Sequence, residues 1–107
     1  MRRKASELPA YQQAMGLLVR REHSRRELKQ KLRQRGKEAD EIDTALESLS
    51  RQDFQNDARF SMALARSRQA AGYGPVRIRA ELAQHNLGAE VIAETMACLP
   101  EDWLETA

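Results

Sequence analysis

The segment SRRELKQKLRQRG at residues 24–36 carries signals for the start, the buried face and the end of one helix. Ser24, followed three positions later by Glu27, forms a capping box in which each side chain satisfies the other residue's backbone N–H. Leu28 and Leu32 are four residues apart and therefore share one helical face, which we predict to be buried. Gly36 can adopt the left-handed conformation that commonly ends a helix. The segment predicts a short amphipathic helix with one apolar stripe.

Helical spacing of apolar residues continues on both sides of this segment. Pro9 is suited to starting a first helix over about residues 10–21, and a third helix is predicted over about residues 40–51. The side chains that these two helices are expected to turn towards a core are Tyr11, Ala14, Met15, Leu17, Leu18, Ile42, Ala45, Leu46 and Leu49.

The same pattern begins again further along the chain. Asn56 or Asp57 can cap a fourth helix that ends near the turn at residues 72–74, and Pro75 can open a fifth, where its missing N–H costs nothing. The predicted inward residues of the fourth to sixth helices are Phe60, Ala63, Leu64, Ser67, Ile78, Leu82, Val91, Ile92, Thr95, Met96 and Leu99. An offset of 50 residues pairs Leu28 with Ile78, Leu32 with Leu82, Gly36 with Asn86, Ile42 with Ile92, Leu46 with Met96 and Leu49 with Leu99.

This register predicts an all-α protein made of tandem three-helix repeats in a short, elongated and curved array. We expect an N-terminal tail at residues 1–9, a first repeat at 10–52 and a second at 53–99. Residues 100–107 are expected to be the start of a truncated third repeat, with Trp103 and Leu104 as its first core residues. The protein is expected to be a monomer.

Composition and charge narrow the class of protein. No apolar run approaches the roughly 20 residues of a membrane span, and the single cysteine, Cys98, suits a reducing cytosol, so we expect a cytoplasmic protein without membrane contact. The formal net charge is only +2, but residues 20–37 contain nine Lys or Arg against two Glu. Residues 38–57 contain seven acidic residues and one Arg. Such segregation lets one basic surface meet a polyanion.

Two segments resemble one known family. Residues 17–36 (LLVRREHSRRELKQKLRQRG) and residues 53–82 (DFQNDARFSMALARSRQAAGYGPVRIRAEL) are similar to the RecX family. The resemblance lies in Arg21-Glu22-His23-Ser24 with Glu27-Leu28, in Asn56-Asp57-x-Arg59-Phe60, and in Ser67-Arg68 leading to Gly72-Tyr73-Gly74-Pro75 with Arg77-Ile78. Family members usually have three such repeats, whereas this chain stops at the beginning of a third.

The resemblance implies a bacterial regulator that binds the RecA recombinase and its filament on DNA, lying along the helical groove of the filament. It also implies lowered strand exchange, ATP hydrolysis and coprotease activity, and a place in recombination, DNA repair and SOS control. The alternative is a stand-alone helical module that binds DNA without sequence specificity, because a three-helix unit can imitate a helix-turn-helix.

Candidate contact residues for the partner or for nucleic acid are mostly basic. Arg26, Lys29, Arg33 and Lys37 lie with Gln30 on the outer arc of the second helix, as a contact surface or as a solvated face. Arg77 and Arg79, which flank Ile78, are further candidates, and Tyr73 could stack on a base or pack over a helix. Four more arginines lie near predicted helix ends, where the helix dipole alone could explain a positive charge: Arg20, Arg21, Arg66 and Arg68. Arg25 and Arg35 are interpreted as covering the core edge.

No arrangement of residues predicts catalysis. His23, His85 and Cys98 lack a metal-ligand spacing, and the glycines around Tyr73 lack the further glycines and the lysine of a phosphate-binding loop. No serine, histidine and acid follow the order of a catalytic triad near a strained turn. We therefore expect a protein that is not an enzyme and that has no metal site and no cofactor.

Overall fold

The computed structural model describes residues 8–99, which contain six α-helices and, over that range, no β-strand. The helices are α1 (Ala10–Arg20), α2 (Arg25–Gln34), α3 (Ala39–Arg51), α4 (Asp57–Ala70), α5 (Pro75–Gln84) and α6 (Ala89–Cys98). The all-α class and the two tandem three-helix repeats are confirmed. The chain divides between Asn56 and Asp57 into two compact units, the first with α1–α3 and the second with α4–α6. The expected third repeat and residues 1–7 of the expected tail lie outside the described residues.

Helix α2 has the predicted signals at both ends. The Glu27 backbone N–H donates to Ser24 Oγ (3.0 Å) and the Ser24 N–H donates to Glu27 Oε1 (3.3 Å), so the capping box is complete. At the other end Gly36 has a φ of +82°, and the Lys37 N–H donates to the Leu32 carbonyl over 3.1 Å. This bond belongs to a Schellman motif, which satisfies carbonyl groups that the helix leaves unpaired. Both predicted ends are confirmed.

Small side chains allow α1 and α3 to approach each other closely. Ala10 and Ala14 of α1 are fully buried, and Ala45 of α3 is 5% exposed. A methyl group occupies little of the space between two packed helices, so the larger leucines and the isoleucine fill the rest of the core. The core of the first unit consists of Ala10, Ala14, Leu28, Leu32, Ile42, Ala45, Leu46 and Leu49, with Tyr11, Met15, Leu17 and Leu18 packed against it.

The N-terminus of α1 is capped by a residue from a different helix. Pro9 precedes the helix, and no neighbouring side chain accepts a hydrogen bond there. Instead, the Ala10 N–H donates to Glu41 Oε2 of α3 over 2.7 Å. The carboxylate is placed at the positive end of the α1 dipole, where a negative charge is stabilising. This contact ties the beginning of α1 to α3.

Replacing the capping carboxylate is expected to destabilise the first unit. Glu41→Ala removes the acceptor of a charge-assisted hydrogen bond, so we expect a loss of about 1–2 kcal/mol in the free energy of unfolding. Urea denaturation followed by circular dichroism measures the loss. The matched control is Glu47→Ala, which removes an exposed carboxylate from the same helix. Equal stability of the two variants would contradict the capping role.

The second unit repeats the first in its helix ends as well as in its core. Asn86, which the 50-residue offset pairs with Gly36, also has a positive φ of +58°, and its N–H donates to the Ala83 carbonyl. Asparagine tolerates this conformation because its short polar side chain can bond locally. Leu87, which the sequence did not single out, is buried beside it. The core consists of Phe60, Ala65, Ile78, Leu82, Leu87, Ile92 and Leu99, with Leu64, Tyr73, Val91 and Met96 packed against it.

The predicted inner face of α4 was partly wrong. Phe60 is buried and Leu64 is half-buried as expected, but Ala63 and Ser67 are exposed, and Ser61 and Ala65 are buried in their place. The reason is a polar contact inside the core, because Ser61 Oγ lies 2.6 Å from Thr95 Oγ1 of α6. Thr95 Oγ1 in turn donates to the Val91 carbonyl. A pattern based on hydrophobicity misses a buried serine whose hydroxyl is satisfied.

Candidate partner-binding surface

Four cations of the first unit form what we call the α2 stripe: Arg26, Lys29, Arg33 and Lys37. Arg26 and Arg33 are exposed, whereas Lys29 and Lys37 are half-buried. Leu28 and Leu32 on the opposite face of α2 are fully buried, so packing determines which way the stripe faces. Because the helix is capped at both ends, Arg26, Lys29 and Arg33 are carried on a rigid element, whereas Lys37, which was predicted on the same outer arc, lies beyond the end of α2 and after the turn at Gly36. The predicted basic face is therefore an ordered surface.

Lys29, a member of the α2 stripe, has an ion-pair partner on the next helix. Its Nζ lies 3.9 Å from Asp43 Oδ1 of α3, and the two side chains are 42% and 58% exposed. Such an exposed pair contributes at most about 1 kcal/mol and is weakened by salt. Lys29 can therefore exchange Asp43 for an anionic group of a partner at little cost.

The surface of α5 differs from that of α2 at equivalent positions. Arg79 corresponds to Lys29, and both Arg79 and Arg77 are exposed, as the contact hypothesis requires. The counterparts of Arg26, Gln30 and Arg33 are Val76, Ala80 and Ala83, and all three are exposed. Val76 is 83% exposed. The repeated part of the stripe is therefore a single pair, Lys29 and Arg79.

Tyr73, Arg77 and Arg68 come together in the second unit. The Arg77 guanidinium lies 4.1 Å from the centroid of the Tyr73 ring, and that of Arg68 lies 5.8 Å from it. Tyr73 is half-buried and packs against the core of its unit. The ring thus acts as a support for Arg77 through a cation–π contact. Tyr73 therefore packs within its own unit, and its contact with a base or a partner stays a prediction.

Arg68 is engaged within the protein. Its Nε donates to Glu81 Oε2 over 2.7 Å and to Oε1 over 3.0 Å, which joins α4 to α5. The hydrogen bond to Glu81 raises the pKa of Arg68. The Glu81 carboxylate compensates the charge of Arg68, whereas Arg77 projects from an exposed position. Of the two arginines on the Tyr73 ring, Arg77 is therefore the better placed to meet a partner.

The candidates near the ends of α1 and α4 have different surroundings. Arg20 is the last residue of α1 and is exposed, and Arg66 is exposed within α4. Arg21, which was predicted to end the first helix, instead has extended backbone with a φ of −168°. Its Nη2 lies 2.5 Å from Glu27 Oε2, the acid of the capping box. This ion pair joins the turn between α1 and α2 to the first turn of α2.

His23 completes that turn, and the sequence did not predict its role. The side chain is buried, with Nδ1 3.0 Å from the Arg21 carbonyl oxygen and Nε2 3.2 Å from Lys31 Nζ. The neutral ring fits both contacts, because Nδ1–H can donate to the carbonyl and Nε2 can accept from the lysine. Burial lowers the pKa of His23 below its ordinary value of 6.5 and outweighs the hydrogen bond to the Arg21 carbonyl, which raises it.

The pKa of His23 makes the first unit sensitive to acid. The unfolded chain binds a proton at histidine near pH 6.5, whereas folded His23 does so only at lower pH. Stability is therefore fully present above about pH 6.5 and decreases as the pH falls through the pKa of the folded state. We expect the urea midpoint of the parent to fall more between pH 7.5 and 5.5 than that of His23→Gln. The remaining titratable groups are the same in both proteins. A urea midpoint that falls equally with pH in both would therefore contradict this role of His23.

Comparison with known proteins identifies the family. Residues 10–49 match the first three-helix domain of RecX, and residues 56–96 match the second. The chain belongs to the RecX family. A protein named Regulatory protein RecX from Xanthomonas oryzae pv. oryzae (strain MAFF 311018) is 49% identical over 105 residues, and one of the same name from Stenotrophomonas maltophilia (strain R551-3) is 46% identical over 106 residues.

These alignments cover nearly all of this chain but only part of the relatives. They span 98% and 99% of the chain, and 66% and 65% of the two relatives. The chain thus spans about two thirds of the length of these RecX proteins. Because the relatives are named as regulatory proteins, membership of the RecX family supports a regulatory role.

The motifs that resemble RecX occupy turns of both units. Arg21, His23 and Ser24 form the turn that leads into α2. Asn56 precedes α4, where its Nδ2 donates to Asp53 Oδ1 over 3.1 Å, and Gly72 has a φ of +92° before Tyr73. The first of these motifs therefore leads into α2, and the last lies directly before α5. Within residues 8–99, no group of three His, Cys, Asp or Glu side chains is arranged to hold a metal ion. In the same range, no helix has both the length and the apolar character needed to cross a membrane.

Proposed function

We propose that this chain binds the RecA recombinase and its filament on DNA, and that it lowers strand exchange, ATP hydrolysis and coprotease activity by binding alone. Membership of the RecX family supports a regulatory role. The single observation that carries the contact surface is the α2 stripe, whose cations face away from the buried Leu28 and Leu32. The proposal places the protein in the cytoplasm and in recombination, DNA repair and SOS control.

The positive charge of the α2 stripe is complementary to the anionic groups of a filament on DNA. A filament on DNA offers phosphate groups and acidic protein side chains, and guanidinium groups bind both through paired hydrogen bonds. Arg26 and Arg33 lie seven residues apart on one face of α2 and can therefore engage neighbouring anions. Binding of this kind weakens as ionic strength increases. Arg77 and Arg79 supply cations from the second unit.

The contact between the Tyr73 ring and Arg77 leads to a prediction about binding to the filament. Tyr73→Ala removes the ring beneath Arg77, so we expect about threefold to tenfold weaker binding to the RecA filament, equivalent to about 0.7–1.4 kcal/mol. Tyr73→Phe retains the ring face and is expected to bind like the parent. Fluorescence anisotropy of a labelled chain titrated with filament measures both. Equal weakening by the two variants would show that the hydroxyl, rather than support of Arg77, is what matters.

The proposed function is tested by titrating the full chain into RecA during DNA-dependent ATP hydrolysis. We expect concentration-dependent suppression, with binding to single-stranded DNA alone much weaker than binding to the filament. Binding to DNA of equal strength with and without RecA, and no suppression of hydrolysis, would overturn the proposal. That result would favour the alternative of a stand-alone, nonspecific DNA-binding module, for which the exposed cations of the α2 stripe would also be suited.

A further inference from the structure

A second surface of the first unit has the features of a binding groove. We call it the α1 groove; it has a volume of about 230 Å³ and is lined by Leu8, Gln12, Gln13, Gly16, Leu17, Arg20 and Arg35. This set has no residue in common with the α2 stripe. Among the described residues that line it, two are arginines and none is acidic, so this lining is positively charged.

One cation of the groove is held in place by a buried amide. Arg35 Nη1 donates to Gln13 Oε1 over 3.3 Å, and Gln13 is only 5% exposed. Gln13 Nε2 donates to the Leu8 carbonyl over 2.8 Å, so both ends of the amide are engaged. The guanidinium of Arg35 is therefore oriented before any ligand arrives, which lowers the entropic cost of binding. Arg20, at the end of α1, is exposed.

The glycine of the groove has no role inside the chain. Gly16 lies within α1, where glycine is less favourable than alanine. Its φ is not positive, and among the described residues outside the neighbouring backbone of α1 an added Cβ would meet no atom within 4 Å. Neither backbone conformation nor internal packing therefore requires glycine here. Its missing side chain leaves the helix backbone open to a molecule from outside.

We propose that the α1 groove binds an acidic segment of a protein partner, with a carboxylate of that segment held by Arg20 and Arg35. The volume lies below the roughly 300–1,000 Å³ of small-molecule sites and suits a side chain better than a nucleotide. Leu8 and Leu17 offer apolar contacts to an extended peptide, and the open backbone at Gly16 permits its close approach. This inference does not rest on binding to RecA.

The test uses the full chain labelled with ¹⁵N and an acetylated, amidated hexaglutamate peptide as the probe. We expect saturable shifts in the backbone amide resonances of Gln12, Gly16 and Leu17. Arg20→Gln is expected to weaken the affinity at least threefold, and Gly16→Leu, which fills the groove, at least fivefold. The matched control is Arg51→Gln, which removes the same charge from an exposed position of the first unit outside both surfaces and is expected to leave the affinity for the peptide unchanged.

Two further outcomes would overturn the proposal. The first is a set of shifts centred away from the groove, or equal weakening by Arg20→Gln and Arg51→Gln, because either would show that the peptide does not bind specifically in the groove. The second is a larger response at Gly16 to hexathymidylate than to hexaglutamate, because the groove would then prefer nucleic acid. Absence of any shift at millimolar peptide, with the parent folded, would also overturn it. Since RecA is absent from the experiment, none of these results depends on the proposed function.

Discussion

Reversal of four surface charges is expected to weaken strongly the suppression of RecA-dependent ATP hydrolysis. In the variant, Arg26, Lys29, Arg33 and Arg79 are each changed to Glu, which lowers the charge by two at every position and takes the formal net charge from +2 to −6. An attractive surface thereby becomes repulsive towards phosphate and carboxylate groups. We expect the half-inhibitory concentration to increase at least tenfold, equivalent to about 1.4 kcal/mol or more.

A single-residue comparison separates position from total charge. Arg33→Glu and Arg51→Glu change the net charge equally, and both arginines are exposed in the first unit, but only Arg33 belongs to the α2 stripe. We expect Arg33→Glu to weaken suppression and Arg51→Glu to leave it close to that of the parent. Circular dichroism should show that both variants are folded. If the variant with all four substitutions suppressed ATP hydrolysis as strongly as the parent does, the α2 stripe would be excluded as the contact surface.

The largest effects on stability are expected from truncation of the matched core leucines. Leu32 and Leu82 occupy equivalent positions in the two repeats and are both fully buried. Replacing either with alanine removes buried methyl groups and leaves a cavity, which costs about 2–5 kcal/mol. This is a large part of the roughly 5–15 kcal/mol by which small domains are stable. Each variant is expected to unfold at much lower urea concentration than the parent.

Hydrogen exchange shows where that stability is lost. We expect Leu32→Ala to reduce protection most among the amides of α1–α3, and Leu82→Ala to reduce it most among those of α4–α6, because each leucine belongs to the core of its own unit. Val76→Ala is the control, since this valine is 83% exposed and its truncation is expected to change stability by less than about 0.5 kcal/mol. A cost below 1 kcal/mol at either leucine would contradict its assigned place in the core.

Local features of this fold could be predicted well. The capping box at Ser24 and Glu27, the positive φ of Gly36, and the buried Leu28 and Leu32 all agree with the predictions from the sequence. Each depends on residues within about one helical turn, because capping bonds and helical faces join positions three or four apart. The 50-residue offset then extended the predicted core positions of the first unit to the equivalent positions of the second unit.

The candidate surface was predictable only in part. The outward direction of the α2 stripe followed from the helical period, because the buried leucines define the opposite face. The engagement of Arg68 with Glu81 and the support of Arg77 by Tyr73 did not follow, since charged residues with several neighbours offer many pairings. His23 was considered only as a metal ligand, and its buried position became visible once the turn between α1 and α2 was known.

The sequence by itself determined the helices, their apolar faces, the repeat and the resemblance to the RecX family, because all four depend on the order of nearby residues. Only the tertiary structure decided how polar groups are used between helices. The cap of Ala10 by Glu41, the buried pair of Ser61 and Thr95, and the bond from Tyr11 to Gln52 join residues 31, 34 and 41 positions apart. Such contacts form only when packing brings distant helices together, and local helical preferences carry no information about them.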